Sequence, residues 1–267
     1  MTMSSFRAAP RKGHLERVKR ICGYLYRMKN GYIRVRTEEP DFSDLPFNEY
    51  EWERSVYGNV KERRPSDAPR PLGKRVVLTT YKDANLYHDL ATGRAVTGVL
   101  HFINQTPVDW FTKKQSTVET ATYGAEFSAA RTAIQQITAL RLTLRYLGVP
   151  IHGPTHLFGD NESVVKSGSI PHSALHKRWH GLAYHYTREA IASKMVSFCH
   201  IPSELNPADV LSKHWGYNDV WRHLQAILFW QGDPGDLLLE PETRKRLSKG
   251  SDKVPQVASG STHDEGK

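Results

Sequence analysis

The stretch from Arg75 to Gln115, RVVLTTYKDANLYHDLATGRAVTGVLHFINQTPVDWFTKKQ, holds three runs rich in β-branched and aromatic residues. RVVLTTYKDA and VTGVLHFINQ read as strands, and TPVDWFTKK reads as a third after a turn at Asn104–Pro107. Three strands so close in sequence make an antiparallel meander. Downstream, Phe127, Ala130, Ile134, Ile137, Leu140, Leu144 and Leu147 recur at i+3 and i+4 steps, which predicts a long helix over Thr117–Leu147 closed by Gly148. Then THLFGD reads as a short strand, NESVVKSG as a short helix, HSALHKRWHGLAYHYTREAIASK as a second long helix and MVSFCHI as a fifth strand. NPADVLSK is expected to be a short helix with proline in its first turn, and NDVWRHLQAILFW a final amphipathic helix. The order predicts an α/β fold: a five-stranded mixed sheet, a meander plus parallel strands, flanked by helices.

Outside this region the charge pattern changes in blocks. The chain of 267 residues has a formal net charge of +9, of which residues 1–37 carry +9, 38–73 carry −4, 74–230 carry +5 and 231–267 carry −1. The basic helix and strand of residues 1–37 are too little for a domain alone. The acidic and proline-bearing residues 38–73 suit an extended linker. A core domain is expected over residues 74–216 and a C-terminal amphipathic helix over 217–239. The polar tail 240–267 has the composition of a disordered segment. With 39% hydrophobic and 24% charged residues the chain is an ordinary globular one, not a collagenous or low-complexity one. Two cysteines, Cys22 and Cys199, make no disulfide framework and fit a reducing, intracellular setting, a cytoplasmic particle or the nucleus. No apolar run is long enough to span a bilayer, so no membrane partner is expected. The basic balance favours a polyanionic partner.

Four acidic residues occupy positions where acids are unusual. Asp83 ends the first strand on the same face as Val77, Thr79 and Tyr81. Glu126 borders the apolar stripe of the long helix, with Ala130, Ala133 and Ile137 following it on that face. Asp160 closes a strand where a helix begins, the place where open α/β sheets hold ligands. Asp209 lies in the first turns of the helix opened by Asn206 and Pro207. Each has an ordinary alternative: a helix-start charge for Asp209, an N-cap or turn for Asp160, a rim position for Glu126. Converging, they would repel one another unless a cation joined them. Oxygen-only ligands select Mg²⁺, with Mn²⁺ as a substitute, and two such ions serve phosphodiester hydrolysis.

TYKDANLYHD, TGRAVTG, PVDWFTKKQSTVETATYGAEFSAA, FGDNESVV, HKRWHGLAYHYTREAI and HIPSELNPADVLSKHWG together resemble the ribonuclease H domain at the C-terminal end of copia-type LTR retrotransposon Pol polyproteins. Upstream, GHLERVKRICGYL resembles the segment that follows the polymerase, so residues 1–37 resemble a short reverse-transcriptase remnant. The resemblance implies a ribonuclease H-like fold, a carboxylate tetrad, two Mg²⁺ ions and endonucleolytic cleavage of the RNA strand of an RNA–DNA hybrid. Asp83, Glu126 in GAEF, Asp160 in GDN (C-D-N-like in the family) and Asp209 in ADVLSK match the tetrad, as catalytic and metal-binding residues. Glu119, seven residues before Glu126 and on the same helical face, is its rival for the second position, and Glu126 is preferred. His200 stands where relatives carry a histidine that assists proton transfer or product release, and it is equally an ordinary strand-end histidine. Trp179 stands where relatives usually have histidine, with His180 adjacent, and Glu162 stands where glutamine is common.

Lys113, Lys114 and Gln115 leave the third strand where phosphate contacts are expected. Thr120 and Asn161 are candidates for reading the sugar 2′-OH. His176, His180 and His185 have partial metal-ligand spacing without a third acidic or cysteine ligand, so zinc is not expected. Two alternatives of another class stand beside the nuclease: a non-catalytic nucleic-acid-binding remnant, and a scaffold that docks on a reverse-transcriptase domain or other Pol segment through Leu15, Ile21 and the Trp221–Trp230 helix.

Overall fold

The computed structural model describes residues 6–27, 29, 32–175, 178–215 and 228–229. Helix α1 (Lys12–Arg27) and strand β1 (Tyr32–Ile33) precede the meander β2 (Leu78–Asp89), β3 (Arg94–Ile103) and β4 (Thr106–Lys114). There follow α2 (Thr122–Tyr146), β5 (Thr155–Gly159), α3 (Glu162–Ser169), α4 (Gly181–Ala192), β6 (Val196–His200), α5 (Asp209–Ser212) and β7 (Leu228–Phe229). The main sheet has the order β4-β3-β2-β5-β6, with β2–β3 and β3–β4 antiparallel and β2–β5 and β5–β6 parallel. This is the five-stranded mixed sheet expected from the sequence, with the helical crossovers that parallel neighbours require.

One face of the sheet packs on α2, α3 and α4. Val99, Leu157, Val196 and Phe198 meet Phe127, Ala130, Ile134, Ile137, Val164 and Tyr184 there. The long helix starts at Thr122 rather than Thr117 and ends before Leu147, which is 71% exposed and takes no part in the stripe. The second long helix is also shorter than its periodicity suggested: a 3-10 turn spans Arg178–His180 and α4 begins only at Gly181. Residues 171–175, at the start of the expected helix, form a turn and irregular chain instead. Of the helix expected over 217–239, only Leu228 and Phe229 are among the described residues. They are a short strand paired antiparallel with Tyr32 and Ile33, not helix. The tail 240–267 lies outside the described residues.

The opposite face of the sheet is covered by the segment expected as a linker. Residues 38–73 hold no helix or strand, yet Phe42, Leu45 and Phe47 pack on Phe158, Tyr81, Cys199 and Ile201. Trp52 and Tyr57 are buried and flank the Arg188 guanidinium, 4.8 and 5.5 Å from their ring centres. The acidic residues of this stretch concealed its aromatic ones, and burial of those aromatics drives the chain onto the sheet. Helix α1, in contrast, leaves Leu15, Ile21 and Leu25 at least half exposed. Among the described residues no helix is long and apolar enough to cross a membrane.

Candidate active site

Strand β2 carries Lys82 and Asp83 to opposite faces of the sheet. Asp83 faces α5, and this contact depends on Gly98, its neighbour across the β2–β3 ladder. A Cβ on Gly98 would sit 2.9 Å from the Ala208 carbonyl and the Leu211 Cβ, so glycine is what lets α5 close over the sheet. Asn206 fixes the approach: it is fully buried, donates to the Lys82 carbonyl at 3.0 Å and accepts from the Ala208 N–H at 3.2 Å. Asp209 therefore stands beside Asp83. Lys213 Nζ lies 2.7 Å from Asp209 Oδ1 and 3.4 Å from Asp83 Oδ1, and Ser212 Oγ donates to Asp83 Oδ2.

On the other side, Lys82 and Glu126 form an ion pair beneath α2, both almost wholly buried. Glu126 Oε1 also accepts the Ala84 N–H at 3.0 Å. Asp160 follows β5 at its carboxyl end, half-buried, and Asn161 caps α3 by accepting the Val164 N–H at 3.1 Å. Carboxylate oxygens of Asp83, Glu126 and Asp160 all lie within 4.8 Å of one another. A cavity of about 310 Å³ opens on them, lined also by Thr122, Asn161 and Lys213.

The electrostatics record the crowding. Burial pushes the Glu126 carboxyl up to about 7; Lys82 opposes the rise while Asp83 and Asp160 add to it. Burial likewise raises Asp209 to about 6, with the Lys213 hydrogen bond opposing and the charges of Asp83 and Asp160 reinforcing it. Burial works against the Lys213 ammonium, but Asp83 and Asp209 outweigh it and raise its pKa. Asp83 is 1% exposed, and its Oδ1 has no hydrogen-bond partner among the described residues. A buried carboxylate oxygen with no hydrogen bond, only the longer ion pair with Lys213, and facing two further carboxylates fits a hard divalent cation, and the all-oxygen donor set suits Mg²⁺ or Mn²⁺.

The other expected site residues divide. Glu119 does not join the cluster; it pairs with His180 at 3.4 Å. His200 Nε2 lies 3.2 Å from the Asp160 carbonyl, at the edge of the site. Lys113 is exposed, whereas Lys114 is bound to Asp89 at 2.6 Å. Gln115 is not a surface contact: it is buried, its amide donating to Thr97 Oγ1 and the Ala125 carbonyl, because it closes the β4–α2 corner. Thr120 is exposed in the turn before α2, and it is Thr122 that lines the cavity. His185 meets Tyr57, and His176 lies outside the described residues. Sequence reading missed Lys82, Asn206 and Lys213. The available signal was a lysine between Thr80 and Ala84 on a strand covered on both faces.

No protein-family model matches the chain. It is 27% identical over 144 residues to the retrovirus-related Pol polyprotein of transposon TNT 1-94 of Nicotiana tabacum, and 24% identical over 143 residues to that of transposon RE2 of Arabidopsis thaliana. Its relatives are retrovirus-related Pol polyproteins. Each match takes in 53% of this chain and 10% of the relative, so the chain spans about a tenth of their length. Among solved structures, the N-terminal ribonuclease H domain of a Mycobacterium tuberculosis protein is similar, at 14% identity and a TM-score of 0.40, over 57% of this chain and 98% of that one. The meander, the parallel strands and the flanking helices form an α/β fold around a five-stranded mixed sheet.

Proposed function

We propose that this chain is the ribonuclease H part of a copia-type Pol protein or a fragment of one, and that it hydrolyses the RNA strand of RNA–DNA hybrids with a divalent cation. The observation that carries the reading is the meeting of Asp83, Glu126 and Asp160 at one end of the sheet, with an Asp83 oxygen that has no hydrogen bond among the described residues. Asp83 and Asp160 are the residues that would hold a metal, with Glu126 and Asp209 beside them. A bound divalent ion supplies an activated water and neutralises charge on the leaving oxygen, and the two-ion form of this chemistry is what the resemblance implies. The chain's own part is to hold the acids rigidly. Asn206 and Gly98 bring α5 to β2, Asn161 caps the helix after Asp160, and His200, whose Nε2 lies beside the Asp160 carbonyl, would assist proton transfer as the resemblance implies.

The test is cleavage of a labelled RNA–DNA hybrid with Mg²⁺, comparing the wild type with Asp160→Asn. Loss of cleavage in the variant supports the reading, and equal cleavage overturns it. One observation favours a second reading, a hybrid-binding module without turnover: Glu126 and Asp209 are each already paired with a lysine. Hybrid binding by the wild type with no metal-dependent cleavage would establish that alternative.

A further inference from the structure

Lys82 is the largest wholly buried side chain in the molecule as described, at 0% exposure, and it is held from three sides. Its ammonium pairs with Glu126, it lies 5.7 Å from the centre of the Phe198 ring, and its stem runs over Gly159. A Cβ on Gly159 would collide with Lys82 Cε and lie 2.9 Å from Nζ. The residue just before Asp160 is thus a glycine at the place where the lysine needs room. An ammonium is a donor only, and it occupies the same carboxylate lone pairs that a metal would use. Glu126 gives one oxygen to Lys82 and the other to the Ala84 N–H, while Asp209 is held by Lys213. Asp83 Oδ1 and the Asp160 carboxylate are left facing the cavity. The two lysines differ in how readily they could be displaced, since the Lys213 side chain is 33% exposed and that of Lys82 is 0% exposed.

We infer that Lys82 is a built-in cation that takes the place of one divalent ion: Asp83 and Asp160 hold a single ion, and Glu126 serves the lysine. The inference rests on the metal-dependent reading above and departs from the two-ion scheme. Lys82 is a positioning residue, acting through Glu126 and through its fixed positive charge beside the metal. A divalent ion bridging Glu126 would have to approach that charge, whose side chain is wholly buried.

The experiment is a Mn²⁺ titration of the full chain, with free Mn²⁺ followed by electron paramagnetic resonance, alongside hybrid cleavage. One ion per chain is expected for the wild type and two for Lys82→Met, which keeps the stem and removes the charge. Where that variant fails to fold, the double variant Lys82→Ser with Gly159→Ala, whose added methyl takes up part of the space the lysine stem leaves, is expected to hold two ions. Gly159→Ala alone is expected to lower the melting temperature, and Lys82→Ser to restore it. A wild type that binds two ions, or folded Lys82 variants that still bind one, overturns the inference while leaving metal-dependent cleavage intact. A wild type that binds no ion and cuts no hybrid overturns the nuclease reading itself.

Discussion

The two ends of the main sheet both bury charge, and they do so in opposite ways. At the end where β5 starts, Glu62 from the covering segment accepts from Arg141 Nε at 2.7 Å, Arg141 Nη2 at 3.0 Å and Arg145 Nη2 at 2.7 Å. Arg141 further donates to the Gly153 carbonyl and to Thr155 Oγ1. Both oxygens of Glu62 are satisfied and the excess charge is positive. At the end where β5 stops, four carboxylates meet two lysines, so the excess is negative, and Asp83 Oδ1 has no hydrogen bond among the described residues, only the 3.4 Å ion pair with Lys213. A closed set of partners, each charge satisfied by the others, stabilises the fold. An open set retains capacity for a ligand, at a cost in stability that the surrounding fold must offset.

The largest effect should come from the open end. Asp83→Asn removes the charge that faces the metal, and metal-dependent hybrid cleavage should fall by ~10³-fold or more, the several kcal/mol that a metal supplies to phosphoryl chemistry. Melting temperature should hold or rise, because a crowded negative charge is gone; a large drop in stability would put Asp83 among the structural residues and erase the contrast. At the closed end the signs reverse. Arg141→Ala should cost about 3 kcal/mol by leaving Glu62 short of donors, read as a shifted denaturation midpoint, with cleavage by the folded fraction unchanged.

The same end sets a pH dependence. Burial alone would raise the Glu62 carboxyl, but the hydrogen bonds and charges of Arg141 and Arg145 outweigh it and lower its pKa from 4.5 to about 2. A depressed folded value means the contribution is present above pH 4.5 and is lost as pH falls toward 2. Thermal melts should therefore decline across that window in the wild type, and Glu62→Gln should be less stable at neutral pH with a flatter acid limb.

How far the sequence revealed these two ends follows from what each is made of. The strands, the long helix and the positions of Asp83, Glu126 and Asp160 were legible because periodicity and strand-end placement are local properties. Gly98 and Asn206 were not, since their importance lies in bringing α5 onto β2, and Asn206 and Lys82 are 124 residues apart in sequence. Lys82 was visible as a charge on a buried strand, but its partner Glu126 lies 44 residues away. The closed end was wholly illegible: Glu62 sits in a polar stretch that composition assigns to a linker, and 79 residues separate it from Arg141. The same stretch hid Phe42, Phe47, Trp52 and Tyr57, whose burial on the sheet and around Arg188 depends on the finished fold.

The smallest predicted effect tests the contrast within one dipeptide. Lys113 and Lys114 end β4 at the carboxylate end of the sheet, Lys113 facing Thr97 across the ladder, one step from the Gly98 that pairs with Asp83. Lys114 is closed on Asp89, whose carboxyl is drawn down to about 2 chiefly by that hydrogen bond. Lys113 is exposed. If open charges at this end meet the nucleic acid, Lys113→Ala should weaken hybrid binding a few-fold and reduce the slope of log affinity against log salt by about one. Lys114→Ala should change that slope less, because its charge already has a partner in the free protein. Equal slopes for the two variants would mean that the hybrid displaces Asp89 on binding, and that the lysine pair acts as a single patch with no distinction between its open and closed members.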